Sequence, residues 1–215
     1  MFKRGLTMII AVMALSGCQT AYYAAMEKVG VHKRDILVDR VEEARDAQDD
    51  AQEQFAEALE QYQAVVQFNG GELETLYNRF KAEYDDSTAA AQEVTDRINQ
   101  VEQVADALFD EWAEELTQYE SASLRAQSAQ QLKNTQRRYN ALLRTMRQAE
   151  KRMQPVLTAL NDNVLYLKHN LNARAIGALK GEFAGLQQNI DRLIGDMQKA
   201  IQESDAFIRD METGQ

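Results

Sequence analysis

Turn-forming residues are almost missing from the middle of this chain, and this limits what it can fold into. No glycine occurs between Gly71 and Gly177, and Pro155 is the only proline among 215 residues. A protein built of strands needs more turns, which glycine and proline usually form. The same region is rich in Ala, Gln, Glu, Leu and Arg, which are good helix formers. The chain is therefore predicted to be almost entirely helical.

Apolar residues recur at alternating steps of three and four, the spacing of helices that pack in bundles and coiled coils. Four such seams run through residues 41–65, 94–119, 132–160 and 176–211, the second with one irregular step. Each seam must be buried against another helix. The pattern predicts an all-α protein, an elongated antiparallel helical bundle or coiled coil of about four long helices.

Three breaks divide these helices. Asn69 and the glycines after it suit a helix end and a hairpin. A softer break is expected near residues 118–128, where Ser121 and Ser123 offer caps, and a third near 169–173. Pro155 is expected to kink its helix without ending it, because the apolar register continues through it. The predicted helices span about 32–67, 72–119, 123–169 and 173–211.

The N-terminal sequence predicts where in the cell the protein is located. A basic start at Lys3 and Arg4, an apolar run over 6–15 and the sequence LSGC ending at Cys18 resemble the signal of a bacterial lipoprotein. The resemblance implies cleavage before Cys18 and attachment of acyl chains such as palmitate to the new terminus. An uncleaved anchor and a secreted protein with a free thiol are the alternatives. The predicted organisation is a signal peptide at 1–17, a lipidated tether at 18–31 and a helical bundle domain at 32–215.

The residue after the cysteine indicates to which membrane the protein is sorted. Many Gram-negative lipoproteins with Asp at this position stay at the inner membrane, whereas Gln19 stands here. The resemblance therefore implies the inner leaflet of the outer membrane, facing the periplasm. Cys18 is also the only cysteine, so no disulfide can form within the chain.

The net charge argues against nucleic acid as a partner. The whole chain carries a formal charge of −10, and removal of Lys3 and Arg4 with the signal peptide makes it −12. Binding to DNA or RNA normally needs a basic face that releases counterions. The expected partners are instead the membrane, through the N-terminal lipid, and a protein or a second copy of the chain, through its helices.

Three motifs also resemble a family. These are MEKVGVHKRDIL at 26–37, FNGG at 68–71 and KHNLNAR at 168–174. They are similar to those of proteobacterial lipoproteins grouped as a domain of unknown function, over the whole mature chain. The resemblance implies an all-helical fold and an envelope location, and it carries over no catalytic residue.

The sequence shows no pattern typical of a catalytic, metal or cofactor site. The two histidines, His32 and His169, are far apart, and neither sits in a Glu-x-x-His or His-Glu-x-x-His arrangement. No nucleophile elbow or phosphate-binding glycine loop is present. His169 is expected at a helix C-terminus, where a cation is favourable, and His32 in a solvated basic start with Lys28, Lys33 and Arg34.

Charge is distributed unevenly between the helices. The first helix is acidic through Glu42, Glu43, Asp46, Asp49, Asp50, Glu53, Glu57 and Glu60. The third is basic through Lys133, Arg137, Arg138, Arg144, Arg147, Lys151 and Arg152. One interpretation is that these helices face each other as complementary flanks of one bundle. The other is a basic patch that attracts phospholipid, lipopolysaccharide or another polyanion.

A stripe of small residues runs along the fourth helix, on the side opposite its apolar seam. It consists of Ala173, Gly177, Gly181 and Gly185. Each glycine inside a helix costs about 1 kcal/mol relative to alanine, so three of them facing water would be an unexplained liability. The prediction is that another helix, of the same chain or of a partner, packs closely on this stripe. The alternative is a less regular helix.

These features predict a non-enzymatic scaffold or adaptor, anchored by lipid in the periplasm and acting through its helical surfaces. The alternative is an envelope-lipid or polyanion-binding or membrane-shaping protein that uses the basic third helix. An enzyme ranks third, since no residue set points to a reaction.

Overall fold

The computed structural model describes Met26 and residues 30–213, and in this part of the chain all regular structure is helical. The four long helices are α1 (Lys33–Val66), α2 (Leu73–Glu115), α3 (Ala122–His169) and α4 (Ala173–Thr213). A short 3-10 helix, Leu116–Gln118, follows α2. The prediction of an all-α protein with four long helices is confirmed, and every helix end lies within four residues of its expected position.

The connections between helices are short and each has a local cause. Gly70 and Gly71 take φ angles of +141° and +114°, which favour glycine, and they reverse the chain between α1 and α2. The Ser121 hydroxyl accepts a hydrogen bond from the backbone N–H of Leu124 (3.4 Å) and caps α3. Asn172 caps α4 in the same way, through the N–H of Arg174 (3.0 Å).

Short connections make neighbouring helices antiparallel, and the four form a bundle of roughly 50 to 70 Å. Helix α1 packs against α2 and α4, and α3 packs against the same two helices. Contact between α1 and α3 is marginal at most, so these two helices stand on a diagonal of the bundle and run in the same direction. No described helix is both long and apolar enough to cross a membrane.

The predicted seams form the core. Every seam position of α1 from Val41 to Val65 is buried, and the seams of α3 and α4 are buried except at the half-buried Thr135 and Phe183. The α2 seam was predicted to continue to Tyr119, and this part of the prediction is wrong. The α-helix ends at Glu115, and Trp112 and Leu116 are half-buried against the core, whereas Tyr119 is exposed.

Pro155 lies inside α3, which continues past it to His169. The prediction that this proline does not end the helix is therefore confirmed. Both neighbours on the seam, Met153 and Val156, are buried. The helix therefore keeps its apolar register on both sides of the residue that cannot donate a backbone hydrogen bond.

A polar network lies in the core near the α1–α2 hairpin. The hydroxyl of the fully buried Tyr62 lies 3.0 Å from Oδ1 of Asn163 and 2.9 Å from the carbonyl oxygen of Leu179. Its ring packs against Phe80 and Phe183, with centroids 5.2 and 5.7 Å away. Burial raises the pKa of the Tyr62 hydroxyl well above its usual value, and nearby carboxylate charge adds to the rise. The hydroxyl therefore stays protonated and links α1, α3 and α4.

A second polar residue of the α1 seam lacks such a network. Gln48 is fully buried, and neither its Oε1 nor its Nε2 has a hydrogen-bond partner among the described residues. An amide taken out of water without a partner costs about 1–3 kcal/mol. This layer of the core is therefore held by packing alone and carries a polar penalty.

Candidate functional site

The outer face of α1 carries a continuous row of carboxylates. At 100° per residue these side chains fall within about 80° of one another, on the side opposite the buried seam. We call this row the acidic stripe. It consists of Asp39, Glu42, Asp46, Asp49, Glu53, Glu57 and Glu60. All are exposed except the half-buried Glu42.

Acidic residues crowd further where α1 meets α2. Partial burial raises the pKa of Glu83 on α2, and the charges of Glu57, Asp86 and Glu60 raise it further. Further along α2, close to Tyr139 of α3, the pKa of Asp106 is raised in the same way, by partial burial and by Asp110 and Glu102. Helix α2 therefore holds negative charge at two places at some cost to the stability of the bundle.

The seven predicted basic residues of α3 divide into two groups. Three of them pair with neighbouring helices of the same chain. Arg138 Nη1 lies 3.1 Å from Oδ2 of Asp210, Arg152 pairs with Asp196, and Arg147 pairs with Glu102. These ion pairs join α3 to α2 and α4 and belong to the bundle itself.

The other four point to solvent. Lys133, Arg137, Arg144 and Lys151 are exposed, and none of them has an ion pair in the part of the chain that the structure describes. Arg137 donates a hydrogen bond to the Asn134 side chain. The four lie within about 40° of one another on the side of α3 opposite its seam. We call them the basic stripe.

The two stripes do not face each other, so the prediction that α1 and α3 pair as complementary flanks is wrong. Because these helices stand on a diagonal, their outer faces point to opposite sides of the bundle. Helix α3 carries nine Lys and Arg against two Asp and Glu, whereas α1 carries four against ten. The molecule is therefore electrically polarised across its width.

The small-residue stripe of α4 lies open to solvent. Ala173, Gly177, Gly181 and Gly185 are all exposed, and a methyl group added at any of the three glycines would meet no atom within 4 Å. The prediction that a helix of the same chain packs closely there is therefore wrong. Close contact with a partner's helix stays a prediction.

Large apolar side chains, not predicted from the sequence, are exposed close to the α3–α4 connection. Leu165, Tyr166 and Leu171 are 47%, 41% and 41% exposed. They fall between seam positions. The periodicity of the sequence therefore places them outside the core, but it does not predict that they lie together on the surface.

The end of the bundle nearest the N-terminus opens into a cavity of about 300 Å³. Leu108, Met211 and the half-buried Trp112 line it, together with Arg34 and other polar residues. Trp112 Nε1 donates a hydrogen bond to the Ser128 hydroxyl (2.8 Å), which fixes the indole ring at the wall.

The other residues predicted from the sequence lie at or beyond the ends of the four long helices. Cys18, Gln19 and Lys28 lie outside the described residues. His32 precedes α1, and its backbone N–H donates to Asp35 (3.3 Å), while His169 ends α3 as predicted. Lys33 pairs with Glu111 (2.7 Å). The described residues contain no group of three or more His, Cys, Asp or Glu placed to hold a metal ion.

The arrangement defines a class before any relative is considered: an elongated four-helix bundle with oppositely charged outer faces. The chain belongs to the family described as "Protein of unknown function (DUF2959)", whose family model matches residues 22–211. This confirms the prediction that the chain belongs to a domain family of unknown function. A comparison with curated proteins found no match.

Proposed function

We propose that this protein is a lipid-anchored periplasmic scaffold or adaptor that binds protein partners through the outer faces of its helices and catalyses no reaction. The observation that carries the proposal is the basic stripe of α3. Four cations share one exposed face and have no ion pair among the described residues. Charged groups not used inside a bundle are available to a partner that presents carboxylates in the same spacing.

The bundle suits this role mechanically. Ion pairs fasten both flanks of α3 to its neighbours, and the Tyr62 network ties three helices together. A stripe on such a framework keeps its spacing, so a partner does not have to order it on binding. The lipoprotein-like N-terminus supports placing this framework at the membrane.

A second candidate uses the same stripe for a different ligand. Phosphates of phospholipid or lipopolysaccharide also bind rows of Lys and Arg, at about 1 kcal/mol for each basic residue close to an anionic surface. The four exposed cations favour this candidate as well. The chain's overall charge of −10 opposes it, because an anionic surface repels the remaining faces.

A crosslinking pull-down from intact cells tests the first candidate. The test variant neutralises the basic stripe with Lys133→Gln, Arg137→Gln, Arg144→Gln and Lys151→Gln. The matched control removes the same charge from exposed positions of α4 with Arg174→Gln, Lys180→Gln, Lys199→Gln and Arg209→Gln. We expect defined proteins to crosslink to the wild type and the control and to be lost from the test variant. Capture unchanged by the stripe variant would contradict the proposal.

Vesicles separate the second candidate from the first. The parent protein and both variants, each carrying Cys18→Ser so that no acyl chain is attached, are mixed with vesicles of phosphatidylcholine alone or with phosphatidylglycerol added. Binding that needs phosphatidylglycerol and disappears only in the stripe variant would establish the anionic-ligand candidate. Scaffold function predicts no such difference between the two vesicle types.

Two substitutions at the N-terminus test the proposed lipid anchor and membrane location. Cys18→Ser should leave a folded protein that fractionates with soluble periplasmic proteins, because lipid is the only anchor proposed. Gln19→Asp should move the protein toward the inner membrane. A Cys18→Ser variant found wholly in membranes would refute lipid anchoring at this residue.

A further inference from the structure

We propose that copies of this chain associate side by side on a membrane, with the basic stripe of one copy against the acidic stripe of the next. The inference rests on the proposed scaffold function and names the partner of its basic stripe as a second copy. Charge complementarity identifies this partner. The outer face of α1 presents a row of carboxylates, which can form ion pairs with the row of cations on α3 of another copy.

The diagonal placement of α1 and α3 decides the geometry of this contact. The two stripes point to opposite sides of one molecule, so they cannot pair within it. They also cannot pair reciprocally between two copies through a single self-complementary patch. A contact of this kind is heterologous: a pair of copies keeps one free acidic stripe on one molecule and one free basic stripe on the other. Association therefore produces rows of molecules.

The two stripes also overlap in level along the bundle. The hydrogen bond between Tyr62 and Asn163 marks a common level on α1 and α3, which run in the same direction. With a rise of 1.5 Å per residue, Lys151 lies about 18 Å from this level, as does Asp50 of α1. The basic stripe spans the level of about residues 32–50 of α1, and the acidic stripe begins within that stretch at Asp39.

Anchoring would bring these levels into register between molecules. Copies tethered by their N-termini to one membrane stand with the same end toward it. A sideways shift without rotation then places Lys151 and Arg144 of one copy opposite Asp49 and Glu42 of the next. Exposed ion pairs are individually weak, but confinement to a membrane raises the effective concentration of each stripe for the other.

Zero-length crosslinking provides the direct test. The full-length lipid-anchored protein is reconstituted in phosphatidylcholine vesicles and treated with a carbodiimide, which joins a lysine to a carboxylate in contact with it. We expect products in which Lys151 is joined to the acidic stripe, identified by mass spectrometry. Such a bond cannot form within one chain, because the two stripes lie on opposite sides. Salt at 0.5 M should suppress the products by screening.

Charge reversal separates this contact from other uses of the stripe, read out as co-capture of two differently tagged copies. One variant carries Lys133→Glu, Arg137→Glu, Arg144→Glu and Lys151→Glu. The other carries Asp39→Lys, Glu42→Lys, Asp46→Lys and Asp49→Lys. Each variant alone should lose co-capture by about tenfold or more, because attraction becomes repulsion. A mixture of the two variants should recover it, since their stripes are again opposite in sign.

The remaining outcomes overturn the inference in distinguishable ways. If the wild type captures other proteins through its basic stripe but not a second copy, the scaffold function stands and self-association is wrong. If the mixture fails to recover co-capture, the stripes do not meet. If neither reversal changes co-capture, the copies meet through another surface.

Discussion

The core of the bundle holds two fully buried polar side chains on the same seam of α1, and they differ in whether they find a partner. Tyr62 reaches Asn163 on α3 and Leu179 on α4. Gln48, four turns closer to the N-terminus, reaches no partner among the described residues. A satisfied network fixes neighbouring helices in one arrangement, whereas an unsatisfied amide only subtracts from stability.

The comparison shows that burial alone does not tell what a polar residue contributes. Both positions satisfy the same heptad rule and both are 0% exposed. What differs is the facing helix: Asn163 supplies an acceptor to Tyr62, while Gln48 finds none. The core layer around Tyr62 therefore defines how the helices align. In the layer around Gln48, we expect the glutamine to tolerate replacement.

The largest expected effect comes from removing the Tyr62 side chain. Tyr62→Ala should lower the free energy of unfolding by about 3–5 kcal/mol, through the cavity and the lost network. Tyr62→Phe keeps the ring and isolates the hydroxyl, and should cost about 1–3 kcal/mol because the buried Asn163 loses its partner. Urea denaturation followed by circular dichroism measures both. A Tyr62→Phe variant as stable as the wild type would show that the network is dispensable.

The exposed glycines of α4 lie at the level of Tyr62 along the bundle, and their replacement by alanine is expected to increase stability. Changing Gly177, Gly181 and Gly185 to alanine should stabilise the protein by up to about 3 kcal/mol, since the added methyl groups meet no atom. Thermal unfolding of the triple variant checks the sign. A lower melting temperature would mean that something packs on the stripe, as a partner's helix would.

The Gln48 layer should gain from losing its polar group. Gln48→Met keeps a similar shape and removes the unpaired amide, so we expect stabilisation by about 1–3 kcal/mol. Asn163→Leu is the matched change in the other layer and should destabilise, because it removes the partner of Tyr62. Equal effects of the two substitutions on the urea midpoint would erase the distinction between the layers.

The smallest effect is a pH dependence at Glu83, where α2 meets α1. Its pKa is raised in the folded protein, so the charged form is disfavoured and the protein loses stability as pH rises from about 4.5 through the folded pKa. Glu83→Gln should therefore raise the melting temperature at pH 7. The gain should vanish near pH 4, where the native carboxyl is protonated. A gain that persists at pH 4 would point to a cause other than charge.

The sequence predicts the elements of this fold better than their arrangement. Heptad spacing identified the buried seams, and the glycines at 70–71 identified the first hairpin, because both are local properties. Spacing says nothing about which helices become neighbours, so the expectation that α1 faces α3 was wrong. The exposed glycines of α4 show a second limit. Each costs about 1 kcal/mol in helix propensity, and α4 stays helical because its opposite face is buried in the core.

The candidate site was predictable in part. The sequence marked all seven basic residues of α3 but could not separate the three that pair with Asp210, Asp196 and Glu102 from the four that face solvent. That separation depends on carboxylates more than 40 residues away in sequence. It appears only once α3 is packed between α2 and α4.

The central claim is that the charged faces of α1 and α3 point to opposite sides of one bundle. Spin labels at Asp50→Cys and Lys151→Cys, in a Cys18→Ser background, measure this by pulsed electron spin resonance. Adjacent helix axes lie 8–10 Å apart, so labels on the outer sides of diagonal helices should be separated by about 25–35 Å. A control pair at Gln148→Cys and Asp196→Cys spans two adjacent helices, whose side chains lie 3.1 Å apart in the native protein, and should give a much shorter distance. A short distance for the first pair, like that of the control, would mean that the two charged faces meet and would contradict the account.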